Sequence, residues 1–215
     1  MEILSSNRDS GLYPSYCRFN SRHNKASPSA VVAVLSLEQT HLRNRGLQYV
    51  QSVQRLAPVP SMIDVLDNPC CDRICTWIGQ HIDAVNRDLQ LYLDQCHRCF
   101  EVSDRPCVQI LAVPLADSWG LDGLCQLTTR PITILVDIGR LAHEEWLALI
   151  AHEYAHACLG EAGHNQQFAR VLSHLCLGLG LEPPAVDQTN SAYLAAWPPY
   201  TRSSNPLAFW QGKPS

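Results

Sequence analysis

The stretch Leu149-Ile150-Ala151-His152-Glu153-Tyr154-Ala155-His156-Ala157-Cys158-Leu159-Gly160 decides how the chain is read. Helical spacing runs from Leu141 to Leu159, and Gly160 follows as a natural C-cap residue. On a helix, His152 and His156 stand one turn apart on one face, so both imidazoles can reach a single tetrahedral zinc ion. They continue the stripe Leu149, His152, His156, Leu159 and so face the interior, where two histidines need partners. Glu153 then points at the remaining position, where a water can be held and deprotonated, which makes it the candidate catalytic base. The alternative is a pair of satisfied core histidines with no metal. The chain carries its own near-miss: His143-Glu144-Glu145-Trp146-Leu147 begins alike but has Leu147 where the second histidine should stand.

A catalytic zinc takes three protein ligands and keeps one position open. His164 is the candidate third ligand. After Gly160 the turn Glu161-Ala162-Gly163 reverses the chain, placing His164 in the first turn of a helix predicted over 164–179, on a face with Phe168 and Val171 or Leu172. Glu161, His174 and Glu182 are the other candidates for that role.

Upstream, the set Ile74, Ile78, Ile82, Val85, Leu89, Tyr92 and Cys96 advances by threes and fours and predicts a long amphipathic helix from Asp72 to Cys99. Thr40 to Leu56 also has helical spacing, and Ala30 to Leu35 reads either as a strand or as a helix start. Val108 to Val113, Leu124 to Leu127 and Pro131 to Ile138 read as strands. Residues 1–28, rich in Ser, Asn and Arg, predict a disordered arm, and 29–181 the folded domain. Six of the fourteen prolines lie in 182–215, which predicts an extended tail whose Tyr193, Trp197, Tyr200, Phe209 and Trp210 pack on the domain or dock on a partner.

The composition sets outer limits. A chain of 215 residues that is 46% hydrophobic and 17% charged suffices for one core. A net charge of −4, with only Lys25 and Lys213 as lysines and the arginines scattered, gives no clear nucleic-acid site. No apolar run is long enough for a bilayer, and no secretory leader pattern opens the chain, so the expectation is a cytoplasmic protein that does not span a membrane. Its ten cysteines then read as buried thiols rather than disulfides. A second zinc site joining Cys75 to Cys96 is excluded if both lie on one helix, because 21 residues at ~1.5 Å each separate them by ~30 Å. A site using Cys99 and Cys107 stays open. The sequence carries no signal for an oligomeric state.

The run HEYAHACLGEAGHNQQFARVL resembles the active-site segment of the SprT-like minimal zincin metallopeptidases and their WLM and YgjP-like relatives. The matching positions are His152, Glu153, His156, His164 and Phe168. The preceding Gly123-Leu124-Cys125-Gln126 and Pro131 to Ile138 resemble the strands that those proteins place before the active helix. The resemblance covers about residues 107–180. It implies an α+β fold in which a small three-stranded or larger mixed sheet packs on helices including the active-site helix. It also implies an edge strand open to an extended peptide, one zinc ion, and a peptide or protein substrate. Seven residues separate His156 from His164, unlike the metzincin spacing, and no cysteine follows Cys176 to build a C-terminal zinc ribbon.

The expected activity is amide hydrolysis with Glu153 as general base and then acid. Tyr193 and Tyr200 are candidate oxyanion donors without a positional signal. Other readings are a zinc hydrolase of a small amide or ester, a scaffold that keeps zinc for stability, and a site covered by its own tail.

Overall fold

The computed structural model describes residues 28–185 and 190–213, with side chains from Ser36 onward. The expectation for the N-terminal arm falls outside the described residues except at Pro28. Helix α1 (Pro28–Gln54) begins at that proline, so Ala30 to Leu35 is helical rather than a strand. The fixed φ of proline suits the first position of a helix, where its missing N–H costs nothing.

Helix α2 (Cys71–Arg98) buries Ile74, Ile78, Ile82, Val85, Leu89, Leu93 and Cys96, with Leu93 rather than Tyr92 completing the stripe. Helices α1 and α2 cross nearly backbone to backbone. A Cβ on Gly46 would lie 1.8 Å from the Cys75 carbonyl oxygen, and one on Gly79 would lie 1.9 Å from that of Leu42. Beside this crossing, the Arg43 guanidinium pairs with Asp72 at 2.6 Å.

The sheet is three-stranded and mixed, in the order β1 (Val108–Ala112), β3 (Ile132–Val136), β2 (Gly123–Gln126). Strand β1 runs parallel to β3 with Ile110 opposite Ile134, and β2 runs antiparallel to β3 with Cys125 opposite Ile134. The coarse α+β expectation therefore holds. Helix α2 packs on β1, and Tyr49 of α1 donates its hydroxyl to the Ala112 carbonyl at 2.7 Å. Helix α3 (Trp146–Leu159) packs on β2, β3 and helix α4 (Gln166–Leu179). The predicted start of α3 at Leu141 is five residues too early, since the helix begins at Trp146. Residues His143–Glu145 form a 3-10 turn first, and the Ala142 amide donates to Glu145 Oε2 at 3.2 Å.

The C-terminal stretch is not an extended tail. It forms two short helices, α5 (Ser191–Ala195) and α6 (Pro206–Trp210), and buries Leu194, Trp197 and Trp210. Its prolines start elements or sit between them, so they shorten helices without preventing packing. Trp210 donates its indole N–H to Asp137 at 2.7 Å, in the core beyond β3. No helix among the described residues is long and apolar enough to cross a membrane.

Candidate metal centre

Helix α3 is buried through most of its length, including His152, Glu153 and His156 at 6% exposure each. The flanking core explains how polar groups come to lie there. Ile150, Ala151, Tyr154 and Ala155 are fully buried around them, so the helix is placed by apolar packing, and its histidines face the one side that opens to a cavity. Gly160 ends α3 in the left-handed conformation at φ 67°, which a side chain would strain.

The turn that follows brings in the third histidine. Asn165 caps α4 by accepting from the Gln167 and Phe168 amides at 2.9 and 3.0 Å. His164 therefore stands before the cap rather than inside the first helical turn, because an asparagine at that position takes the capping role itself. His164 Nε2 lies 3.1 Å from His152 Nε2 and 3.2 Å from His156 Nε2. Nitrogens bound at ~2.0–2.1 Å to a tetrahedral zinc stand ~3.3 Å apart, so the spacing fits one shared ion. Among the described residues, these three form the one group of three metal-ligating side chains whose donors lie within 4.8 Å of one another.

The other candidates for the third position are elsewhere. The Glu161 side chain accepts from Asn165 Nδ2, while its backbone carbonyl faces His156 Nδ1 at 2.9 Å. That contact places the ring proton on Nδ1 and leaves the Nε2 lone pair free for an ion. His174 faces the Cys99 carbonyl at 2.8 Å, and Glu182 is exposed. Cys107 is exposed, and among the described residues neither it nor Cys99 belongs to a three-donor group.

Burial, with the neighbouring histidines adding to it, pushes the His152 pKa down to about 3. Burial pushes His156 down to about 4, against the Glu161 carbonyl, and lowers His164 too. All three rings are therefore neutral near pH 7, the form a metal requires. Among the described residues His152 Nδ1 makes no hydrogen bond, although the Trp197 backbone lies close enough to favour its protonated form. Phe168, fully buried, packs on all three rings with centroids 5.0, 4.5 and 4.8 Å from His152, His156 and His164.

Glu153 points into the same cavity. Burial, reinforced by the nearby Asp122 charge, pushes its pKa up to about 8. Strand β2 reaches this carboxyl because residue 123 is glycine. A Cβ there would lie 3.2 Å from both Glu153 Cγ and Oε1.

The opposite wall centres on Asp122 and Arg202, which no sequence pattern marks. Asp122, 3% exposed at its side chain, accepts from the Tyr200 hydroxyl at 2.6 Å and from Arg202 Nε at 2.8 Å. The cavity of about 600 Å³ is lined by Gly123 to Cys125 on one side and by Ala195 to Tyr200 with Arg202 on the other. An aspartate before a strand and an arginine in a loop carry no periodicity, so only the packed tail reveals them. Tyr193 lies outside this lining, whereas Tyr200 belongs to it. Compared with known protein families, curated proteins and solved structures, the chain matches none.

Proposed function

We propose that the chain is a zinc-dependent hydrolase that cleaves peptide bonds, with His152, His156 and His164 holding the ion and Glu153 as the catalytic residue. The convergence of three Nε2 atoms beside a buried carboxyl, in a cavity large enough for a ligand, carries this reading. Imidazole donors alone suit several transition metals, and a three-histidine set with an open fourth position suits zinc. Bound zinc supplies a Lewis acid that polarises the scissile carbonyl and lowers the pKa of water to ~7.

The remaining work falls to the protein. Glu153 removes a proton from the attacking water and returns it to the leaving amine, a task suited to a carboxyl whose pKa lies near neutrality. His156 is held in its ligating tautomer by the Glu161 carbonyl. Phe168 fixes the three rings and keeps water from their far side. Strand β2 has β3 as its sheet partner, and Gly123 to Cys125 make no further backbone hydrogen bonds among the described residues. Its free backbone groups are suited to pairing with an extended peptide alongside the carboxyl.

Glu153→Gln tests the reading directly. The variant is expected to bind one zinc per chain, by elemental analysis after dialysis, and to lose hydrolysis of an unstructured casein substrate by ~100-fold or more. Full activity in the variant, or purified protein that takes up no zinc, would overturn it.

A further inference from the structure

The segment from Ala195 to Arg202 forms one side of the cavity and is held at several points. Leu194 and Trp197 are buried at 0% and 6% exposure, and Trp210 beyond it at 0%. Between these anchors, Tyr200 and Arg202 close on the Asp122 carboxylate, whose donors among the described residues both come from this segment. Farther on, the Ser203 amide donates to the Arg140 carbonyl at 2.8 Å. Releasing the segment would expose these apolar side chains to water and strip a buried carboxylate of its donors, and both changes are unfavourable. A segment pinned before, within and after its path is built to stay, unlike a lid hinged at mobile ends.

We propose that residues 195–202, clasped by Asp122, are a fixed wall that restricts this site to short or fully extended chains and refuses the loops of folded proteins. The wall does not plug the site, since a space of about 600 Å³ remains beside it, within the ~300–1,000 Å³ range of small-ligand pockets. One extended strand occupies ~4.8 Å beside its neighbour, whereas a folded loop brings two chain segments and their flanking domain. Asp122, Tyr200 and Arg202 are positioning residues on this account. The wall is a property of the cavity, and its meaning for substrates rests on the peptidase reading above.

Cys125 makes the wall measurable without catalysis. Its thiol lines the cavity opposite the strap, half-buried. The full-length protein would be treated with N-ethylmaleimide or with a polymer-linked maleimide, and labelling at each cysteine read by mass spectrometry. Burial pushes the Cys125 thiol up to about 12, so labelling is run at alkaline pH with long exposure, where Cys125 is expected to react slowly with the small reagent and not with the polymer reagent. In the double variant Tyr200→Phe, Arg202→Ala, both reagents should reach it. Cys75, Cys96 and Cys176 are buried and report unfolding of the variant by their own labelling. Equal labelling of wild-type Cys125 by both reagents overturns the wall whether or not the variant folds. So does a folded variant in which the size discrimination is unchanged.

A second arm compares kcat/KM for an unstructured peptide with that for the same peptide embedded in a loop of a folded domain. The wild type should favour the free peptide, and the double variant should narrow the gap. Hydrolysis of neither substrate would count against the peptidase reading alone, and the Cys125 labelling would still decide the wall.

Discussion

Glu153 and its neighbours make predictions that depend on single side chains. The carboxyl ordinarily titrates at 4.5 and here at about 8. Between those values the folded, metal-free protein holds a proton that the unfolded chain has released. The stability from this group is therefore fully present at low pH and is lost as pH rises through about 8. With zinc removed by a chelator, the stability of the wild type should rise by at most ~2 kcal/mol as pH falls from about 8 to 6.5, at ~1.36 kcal/mol per unit. Urea midpoints across that range should show the slope in the wild type and a flatter profile in Glu153→Gln. A slope shared by both proteins would assign it elsewhere. Gly123→Ala addresses the same carboxyl by contact. Its methyl would press on Glu153 at 3.2 Å, so a loss of turnover by ~10-fold or more with zinc stoichiometry unchanged is expected from steady-state kinetics and metal analysis.

Among the elements, α2 and α3 were legible because repeated apolar positions outvote any single residue. The stripe from Ile74 to Cys96 marked a long amphipathic helix, and the histidines of α3 lay on that helix's own stripe between Leu149 and Leu159. The strands near Val108 and Ile132 were legible from β-branched runs, and the one near Leu124 from a short apolar segment ahead of the Thr128-Thr129-Arg130 turn, although their order and mixed direction came from pairing that no local pattern encodes. His164 was found by spacing but placed one element too late, since an Asn165 cap competes with helix continuation. Asp122 and Arg202 were illegible because their partnership spans eighty residues and has no period. The value of α4 to the site lies in Phe168, which was visible in sequence as a helix-face residue and as a position in the matched motif, but not as the common support of three rings. Phe168→Ala should cost ~3–5 kcal/mol, read by chemical denaturation, because a fully buried ring leaves a cavity. It should also weaken zinc binding in a competition titration with a chelator, since the three rings lose their common support.

For the whole molecule, the C-terminal stretch belongs to the fold, and this changes what removing it would do. Asp137 accepts from the Leu115 and Gly139 amides, from Arg140 Nε and from Trp210 Nε1, with distances from 2.7 to 3.1 Å. Burial still pushes its pKa up to about 6, so near neutral pH it is a buried carboxylate that depends on all four donors. Arg140 joins this aspartate to the Asp117 side chain at 2.8 Å, and its carbonyl receives the Ser203 amide. The two aspartates that hold the tail, Asp122 and Asp137, also share a backbone bond, from the Asp137 amide to the Asp122 carbonyl at 2.8 Å. A short chain of hydrogen bonds therefore joins Trp210 through Asp137 and Asp122 to the wall of the metal cavity. Trp210→Phe, which keeps most of the apolar bulk, should lose ~1–3 kcal/mol through the missing donor. Truncation after Leu181 should cost on the order of 10 kcal/mol, because three large buried side chains leave the core at ~3–5 kcal/mol each. That approaches or exceeds the ~5–15 kcal/mol margin of a typical domain, so the truncated chain is expected to lose its cooperative thermal transition by calorimetry. A truncated protein that melts like the full chain would show that the tail merely decorates a domain able to stand without it.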